Sequence, residues 1–263
     1  LGTAIENISD SISSSIHEGM DASIDVACLF SGGIDSSLIL SNARNVNKNI
    51  CAFTADFGEQ DDAEYRSRSL AQTLTHKNHL IRGISRKDVS HSLNITSKIC
   101  ESPFDDTSVI PSHIVFSSVK KSGYSVALTG DGADELFCGY SSFGNLQKIE
   151  TLLDKKFDIL RQFSGKIFKR VLNKYSNQDT DRFFMNETEL LEDLLCNGFK
   201  KREWNDVIET DYDPLTYLRN ILSELDGLKP MDKLRILNLR FKLPYQMLYK
   251  VDRASMFNSV EAR

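Results

Sequence analysis

The stretch VACLFSGGIDSS, residues 26–37, runs from an apolar segment of strand length through a pair of glycines into a polar segment that begins a helix. Two adjacent glycines let the backbone turn tightly and approach a ligand closely. The N–H groups of such a loop, together with a helix N-terminus, favour an anion. The stretch therefore predicts a phosphate-binding loop between a buried strand and a helix.

The polar side chains of this stretch also suit phosphate. The hydroxyls of Ser31, Ser36 and Ser37 can donate hydrogen bonds to phosphate oxygens. A carboxylate at Asp35 is explained among phosphates if it holds a divalent cation such as Mg²⁺. No Lys follows the second glycine, so the loop is not a Walker loop. A plain Gly-Gly turn is the alternative, and the polar residues around the glycines argue against it.

Two further segments carry charged residues in compact patterns. Residues 128–140 read LTGDGADELFCGY, and residues 248–256 read LYKVDRASM and lead to EAR at residues 261–263. Taken alone, the acidic cluster of the first is typical of a helix N-terminus, and the charges of the second are typical of an exposed helix face. For the first segment, its occurrence together with the Asp35 loop favours a functional site instead. For the second segment, the residues alone leave the choice open.

The glycine loop resembles the pyrophosphate-binding loop of the N-type ATP pyrophosphatases, and the three segments together resemble the asparagine synthetase family. Members of that family typically carry SG(D/E)GxDE(L/V)FGGY and K(V)DRxSMxxSxExRxPFLD, and the order and spacing agree over most of this chain. Cys138 stands where the family usually has Gly, and Asp131 stands where asparagine synthetases often have Glu.

The resemblance implies an ATP-dependent amide synthetase with ATP and Mg²⁺ as cofactors. A carboxylate, first of all aspartate, would attack the α-phosphate of ATP to give an acyl-adenylate and pyrophosphate, and ammonia would then attack the acyl carbon to give asparagine. A relative that amidates another carboxylate or a sugar, or that forms a ring, is the second interpretation. A non-catalytic nucleotide-binding module, as in electron-transfer flavoproteins, is the third, and it would not need Asp35, Asp131 and Asp134 together.

The resemblance also assigns roles to individual residues. The main chain at Phe30 and Ala55 would hold adenine, and Thr129 and Gly130 would lie near the ribose and the α-phosphate. The whole set of ATP-binding residues is Phe30, Ser31, Gly32, Gly33, Asp35, Ser36, Ser37, Ala55, Thr129 and Gly130.

The metal and the chemistry fall to acidic and basic residues by the same resemblance. Asp35 and Asp134 would hold Mg²⁺. Asp131 and Asp252 would form the acidic pair that faces the reacting carboxyl group and orients ammonia, and Lys250 would neutralise the charge of the acyl-phosphate. Residues 101–108, ESPFDDTS, resemble the loop that approaches the acceptor carboxylate, although their polar composition suits a plain surface loop equally well.

Composition narrows the class of protein. A net charge of −5 argues against a nucleic-acid-binding protein. Residues 1–20 lack the basic and apolar regions of a signal peptide, and the chain has no apolar run long enough to span a membrane, so we expect a cytoplasmic protein. The five cysteines are widely spaced, form no CxxC pair and are expected to be reduced packing residues. Expected partners are small-molecule substrates and a glutaminase domain in the full-length protein, and a homo-oligomer is left open.

Alternating strand and helix patterns predict an α/β fold with a doubly wound parallel sheet. The resemblance implies that this sheet is of the adenine-nucleotide α-hydrolase-like, PP-loop type. We expect residues 1–140 to form this nucleotide-binding part and residues 141–263 to form a helical part of the same synthetase-like domain. The chain begins with Leu1 rather than a catalytic Cys and stops before the family's PFLD, so we expect the N-terminal glutaminase domain to be absent and the C-terminus to be truncated.

Overall fold

The computed structural model describes residues 2–21, 23–56, 79–101, 104, 106–144, 146–147 and 215–263. The strands are β1 (Val26–Leu29), β2 (Cys51–Asp56), β3 (His79–Gly83), β4 (Val126–Leu128) and β5 (Glu261–Ala262). The helices are α1 (Gly2–Met20), α2 (Ile34–Val46), α3 (Arg86–Cys100), α4 (Val109–Lys121), α5 (Ala133–Phe137), α6 (Leu215–Glu224), α7 (Pro230–Leu237), the π-helix Asn238–Leu248 and α8 (Tyr249–Phe257). The helix expected to begin at Asp62, the basic helical face expected between residues 155 and 174, and Cys196 lie outside the described residues.

The five strands form one parallel sheet in the order β3-β2-β1-β4-β5. Strand β1 lies at the centre, with Cys28 opposite Ala52 on one side and opposite Leu128 on the other. Parallel strands need crossover connections, and such sheets are covered on both faces. The α/β fold with a parallel sheet that the sequence predicts is confirmed.

Alternation along β1 directs its side chains into two separate cores. Val26 and Cys28 join the cluster under α1 and α2, which includes Ile16 and Leu40. Ala27 points to the opposite face, where the cluster is built from α3, α4 and α8. The sheet is therefore covered by helices on both faces, as a doubly wound fold requires.

The chain divides into two compact units, and the division differs from the boundary expected at residue 140. One unit contains Leu1–Gly132 together with Pro244–Arg263, and the other contains Ala133–Leu243. The C-terminal segment belongs to the sheet unit because Val251, Ala254 and Val260 are buried in its core. In the second unit, the described apolar residues form a cluster of their own: Phe143, Leu146, Ile221, Leu222, Leu225, Leu234 and Leu237.

Two elements of the sheet unit were not expected from the sequence. Helix α3 begins at a capping box, in which the Ser85 hydroxyl accepts from the Asp88 N–H and the Asp88 carboxylate accepts from the Ser85 N–H. Strand β5 has only two residues and carries no periodicity. Its N–H groups nevertheless pair with β4, because Glu261 donates to Ser125 O and Arg263 donates to Ala127 O.

The cysteines that the structure describes agree with the expectation of reduced packing residues. Cys28, Cys51 and Cys100 are buried thiols, and Cys138 is a partly exposed thiol. Burial raises the pKa of Cys28 to about 12, so its thiol stays protonated at neutral pH. Among the described residues, no helix has both the length and the apolar character needed to cross a bilayer.

The buried position of Val260 makes the role of the C-terminal segment testable. Val260→Ala removes methyl groups from a fully buried side chain and should lower the free energy of unfolding by about 2 kcal/mol. Val46→Ala makes the same chemical change on an exposed side chain and should change it by less than about 0.5 kcal/mol. Equal effects in chemical denaturation would contradict the placement of Val260 in the core.

The contact between α4 and α8 should depend on pH. The Asn258 side-chain amide donates to His113 Nδ1 over 2.9 Å, so that nitrogen must be unprotonated in the fold. Burial, with the charges of His91 and Lys121, lowers the pKa of His113 from 6.5. The unfolded chain therefore binds a proton that the folded chain rejects, and stability is full above pH 6.5 and is lost as the pH falls below it.

We expect His113→Gln to make the free energy of unfolding less dependent on pH between about 7 and 5, because it removes the group that must ionise. Denaturant titrations at several pH values measure this. His17→Gln, which replaces an exposed histidine of α1, should leave the wild-type dependence unchanged. A His113→Gln curve parallel to that of the wild type would show that His113 does not contribute.

Candidate functional site

The loop between β1 and α2 has the geometry of an anion-binding loop. Gly32 adopts a φ of 80°, a left-handed conformation that favours glycine. Helix α2 begins after Gly33, which provides no side-chain cap. First-turn N–H groups of a helix need partners from outside the helix, and an anion can supply them.

The serines of the loop hold its shape in this structure. The Ser36 hydroxyl is buried and accepts from the Ser31 N–H over 3.2 Å, and it also lies 3.1 Å from the Ser31 hydroxyl. The Ser37 hydroxyl donates to Gly33 O over 2.6 Å. These bonds fix the turn before a ligand arrives, while donation by the serines to phosphate stays a prediction.

A second layer of polar groups supports the residue before the loop. Phe30 N donates to Phe53 O over 2.8 Å, and the buried Thr54 hydroxyl donates to Phe30 O over 2.5 Å. His79 Nε2 lies 2.7 Å from the same hydroxyl, and the His79 ring contacts the Phe30 ring edge to face. Burial lowers the pKa of His79. Sequence reasoning missed Thr54, whose only signal is a hydroxyl in the middle of an apolar strand.

The segment after β4 lies against the first turn of α2. Thr129 N donates to Arg263 O over 2.8 Å, which extends the pairing with the C-terminal strand. A Cβ atom at Gly130 would lie 3.3 Å from Ser36 N and 3.4 Å from Asp35 Cβ. The structure therefore places Asp35 and Ser36 next to Gly130, while their membership of one ligand site stays a prediction. Asp131 follows this contact and is exposed.

Lys250 lies at the start of α8 as a buried cation. Its ammonium is 3.6 Å from Asp106 Oδ2, and the two side chains are only 8% and 15% exposed. Asp106 Oδ1 accepts from Ser108 N over 2.9 Å and from the Ser108 hydroxyl over 2.5 Å. Burial opposes ionisation of Asp106, but the Ser108 hydrogen bonds and the Lys250 charge outweigh it and hold the pKa of Asp106 below its usual range. Asp252, two residues on, is exposed.

Strand direction places these groups at one edge of the sheet. The loop after β1 and the turn after β4 lie at the carboxyl ends of their strands, where ligands bind in open parallel sheets. Helices α4 and α8 lead into β4 and β5, so the N-terminal end of each helix lies toward the same carboxyl edge. Asp106 and Lys250 therefore share an edge with the glycine loop. Sequence reasoning missed Asp106 because nothing in its own segment indicates its partner.

Asp134 belongs to the second unit and is described there by itself. Gly139 N donates to Asp134 O over 3.0 Å, and a Cβ atom at Gly139 would lie 1.9 Å from Asp134 Oδ1. Only glycine fits at that position without moving the carboxylate. Cys138 next to it adopts a φ of 59°, the left-handed region in which the family's usual Gly is unstrained. Glu135 is fully buried and accepts from the Tyr140 hydroxyl.

The residues present suit Mg²⁺ as a nucleotide-bound ion. Asp35 is partly exposed in the first turn of α2, and its carboxylate oxygens are ligands that Mg²⁺ prefers. Within the described part of the chain, no group of three His, Cys, Asp or Glu side chains is placed to hold a metal. Mg²⁺ at nucleotide sites commonly takes one or two carboxylates and completes its shell with phosphates and water. Asp35 fits one such ligand.

The comparisons with known proteins decide the family. The asparagine synthase family model matches residues 7–263. The chain belongs to the asparagine synthase family. It is a member of a ligase family that uses ATP.

Curated relatives agree. The chain is 25% identical to asparagine synthetase [glutamine-hydrolyzing] 1 of Bacillus subtilis, over 98% of this chain and 41% of the relative. It is 25% identical to a putative asparagine synthetase [glutamine-hydrolyzing] of Mycobacterium tuberculosis, over 98% of this chain and 40% of the relative. A putative asparagine synthetase [glutamine-hydrolyzing] 2 of Methanocaldococcus jannaschii is 28% identical over 90% of this chain and 46% of the relative. The chain thus spans less than half the length of the relatives it matches.

The close packing at Gly130 predicts that a side chain there disturbs the loop. Gly130→Ala forces Ser36 N or Asp35 to give way by a few tenths of an ångström, and we expect the affinity for Mg²⁺-ATP to fall about tenfold. Isothermal titration calorimetry measures the affinity. Gly83→Ala, whose new Cβ meets no atom within 4 Å, is the matched control and should bind like the wild type. Equal affinities in the two variants would place the nucleotide elsewhere.

Proposed function

We propose that the chain is an amide synthetase that activates a carboxylate, aspartate in the first place, as an acyl-adenylate with release of pyrophosphate. Ammonia then attacks the acyl carbon and gives asparagine. The observation that carries the proposal is the contact of Asp35 and Ser36, in the first turn of α2 directly after the glycine loop, with Gly130 at the carboxyl edge of the sheet, in a chain of the asparagine synthase family. The loop lacks the lysine that γ-phosphate-transfer loops carry.

The pyrophosphate part of ATP binds to the loop of residues 31–33 and to the N-terminus of α2. These N–H groups are rigidly placed before the reaction, because the Ser31 and Ser36 hydroxyls tie the turn together. Preorganised donors stabilise a leaving group without a cost of reorganisation. When the bond between the α- and β-phosphates breaks, the new negative charge on pyrophosphate therefore faces N–H groups that are already oriented toward it.

Adenine recognition falls to main-chain groups at the ends of β1 and β2. The Phe30 N–H already donates to Phe53 O, so Phe30 contributes through its carbonyl oxygen. That oxygen accepts from Thr54 and keeps a second lone pair for an amino group of the base. Ala55 at the end of β2 supplies the neighbouring main chain, and Thr129 and Gly130 supply the opposite wall near the ribose and α-phosphate.

Asp35 and Asp134 would hold Mg²⁺, which would neutralise negative charge on the phosphate oxygens when bound. Asp131 and Asp252 are exposed acidic groups of the sheet unit, and they orient ammonium and accept its proton. Lys250 offsets the charge that develops between the acyl group and the α-phosphate. The roles of these residues rest on their positions in the family motifs.

The ammonia source is proposed from the relatives. Their names include glutamine hydrolysis, and this chain covers less than half of their length. We infer that a glutaminase domain in the full-length protein supplies ammonia to the site described here. The acceptor carboxylate meets residues 101–108, the segment that contributes Asp106.

Product analysis tests the mechanism. The natural protein with ATP, ammonium and aspartate should form AMP, pyrophosphate and asparagine in equal amounts, because each amide formed requires one cleavage of ATP between the α- and β-phosphates. Asp35→Asn should lower this turnover by at least about tenfold, since it removes a carboxylate next to the phosphates. Asp25→Asn makes the same change at an exposed residue before β1, at the opposite edge of the sheet, and should leave turnover unchanged. ADP and orthophosphate as products would exclude the adenylate mechanism.

A further inference from the structure

The environment of Lys250 is unusual for a lysine. Its side chain is buried, and in the described part of the chain its ammonium meets one carboxylate, Asp106, and one thioether, Met247 Sδ at 3.9 Å. An ammonium has three N–H groups, and a thioether is a weak acceptor. A buried cation with a single strong partner retains the capacity to bind another anion.

We propose that Asp106 is a positioning residue that holds the Lys250 ammonium at the carboxyl edge of the sheet. The ammonium N–H that faces neither Asp106 nor Met247 is then directed to the reacting acyl-phosphate oxygens. This inference rests on the proposed function of the chain. It adds to that function a role for Asp106, a residue to which the sequence assigned no individual role, although residues 101–108 resemble the family's loop near the acceptor carboxylate.

Asp106 is itself rigidly oriented. Ser108 donates to Oδ1 through both its N–H and its hydroxyl, and this leaves Oδ2 for Lys250. Two hydrogen bonds on one oxygen fix the rotation of the carboxylate and disperse part of its charge away from the side that faces the cation. The Asp106 carboxylate therefore keeps its orientation toward the ammonium when an anion binds to Lys250.

The segment that carries Asp106 is attached to α8 at several other points. The Tyr249 hydroxyl donates to Cys100 O, and the Tyr249 ring lies 5.4 Å from the Phe104 ring. Arg253 forms an ion pair with Glu101 over 3.2 Å. The first turn of α8 is thus held against Cys100, Glu101 and Phe104 as well as Asp106, and the Asp106–Lys250 distance is supported by several independent contacts.

The pair compensates the charge of a buried lysine. Removing a charged group from water costs free energy unless a partner of opposite charge compensates. If Asp106 is replaced by a neutral residue, the ammonium loses this compensation and moves toward solvent. That movement withdraws it from the reacting oxygens, whereas the glycine loop and nucleotide binding are untouched.

A double-mutant cycle on the natural protein tests the proposal. Asp106→Asn should lower kcat for asparagine formation about 10- to 100-fold, the range seen when a supporting group is removed, with the affinity for Mg²⁺-ATP within about twofold of wild type. Lys250→Met should lower kcat at least as much. In the Lys250→Met background, Asp106→Asn should have no further effect beyond about twofold, because it acts only through Lys250.

A matched control separates positioning from general destabilisation. Asp88, in the first turn of α3, likewise accepts hydrogen bonds from the N–H and the hydroxyl of a serine, Ser85, and its carboxylate lies 2.6 Å from the Arg82 guanidinium. Asp88→Asn should lower the free energy of unfolding but leave kcat unchanged. All variants are assayed well below their unfolding temperatures, which are measured in parallel.

The outcomes are distinct. An unchanged kcat in Asp106→Asn, in a wild-type protein that forms AMP and asparagine, overturns this inference alone. Equal losses from Asp106→Asn in the wild-type and Lys250→Met backgrounds assign Asp106 a structural role and also overturn it. A wild-type protein that forms neither AMP nor asparagine refutes the proposed function, and the role of Asp106 in the reaction with it.

Discussion

The parallel pairing of β1 with β4 is the interaction on which the sheet unit depends. Three residue pairs, from Val26 opposite Val126 to Cys28 opposite Leu128, align the two strands so that both end at the same edge of the sheet. The glycine loop follows one strand, and the turn at Gly130 follows the other. Their contact follows from strand direction and register. A slip of one residue would exchange the side chains of β1 between the two cores and displace the glycine loop from Gly130.

The sequence predicts this central part well because each signal is local. An apolar run of strand length, a glycine pair and a polar helix start all lie within residues 26–37, and the parallel sheet follows from alternation with helices. Strand β5 has no such signal, since two residues cannot show a period. It forms because Val260 is buried against the core and the N–H groups of Glu261 and Arg263 find carbonyl partners beside β4. Helix α3, in contrast, had a readable start in its Ser85–Asp88 capping box.

The candidate site divides in the same way. The glycine pair and Asp35 can be recognised in the sequence because they lie close together between a strand and a helix, a pattern that indicates phosphate binding. Thr54 and Asp106 are not, because each acts on a residue from a distant part of the chain: Thr54 on the Phe30 carbonyl and Asp106 on the Lys250 ammonium. A hydroxyl in a strand and an aspartate in a polar loop have many uses, and only the folded chain selects one. Supporting groups are therefore the part of a site that a single sequence reveals least.

The position of Lys250 depends on how closely α8 packs against the rest of the sheet unit. Lys250 can be placed accurately only if α8 cannot slide, and α8 is fixed by the buried side chains of Val251 and Ala254 and by the Asn258–His113 hydrogen bond at its far end. Packing restricts movement along the helix more strongly than an exposed ion pair does, because interiors are close-packed and tolerate little displacement. The hydrophobic core under α8 thus sets the position of a charge at the edge of the sheet.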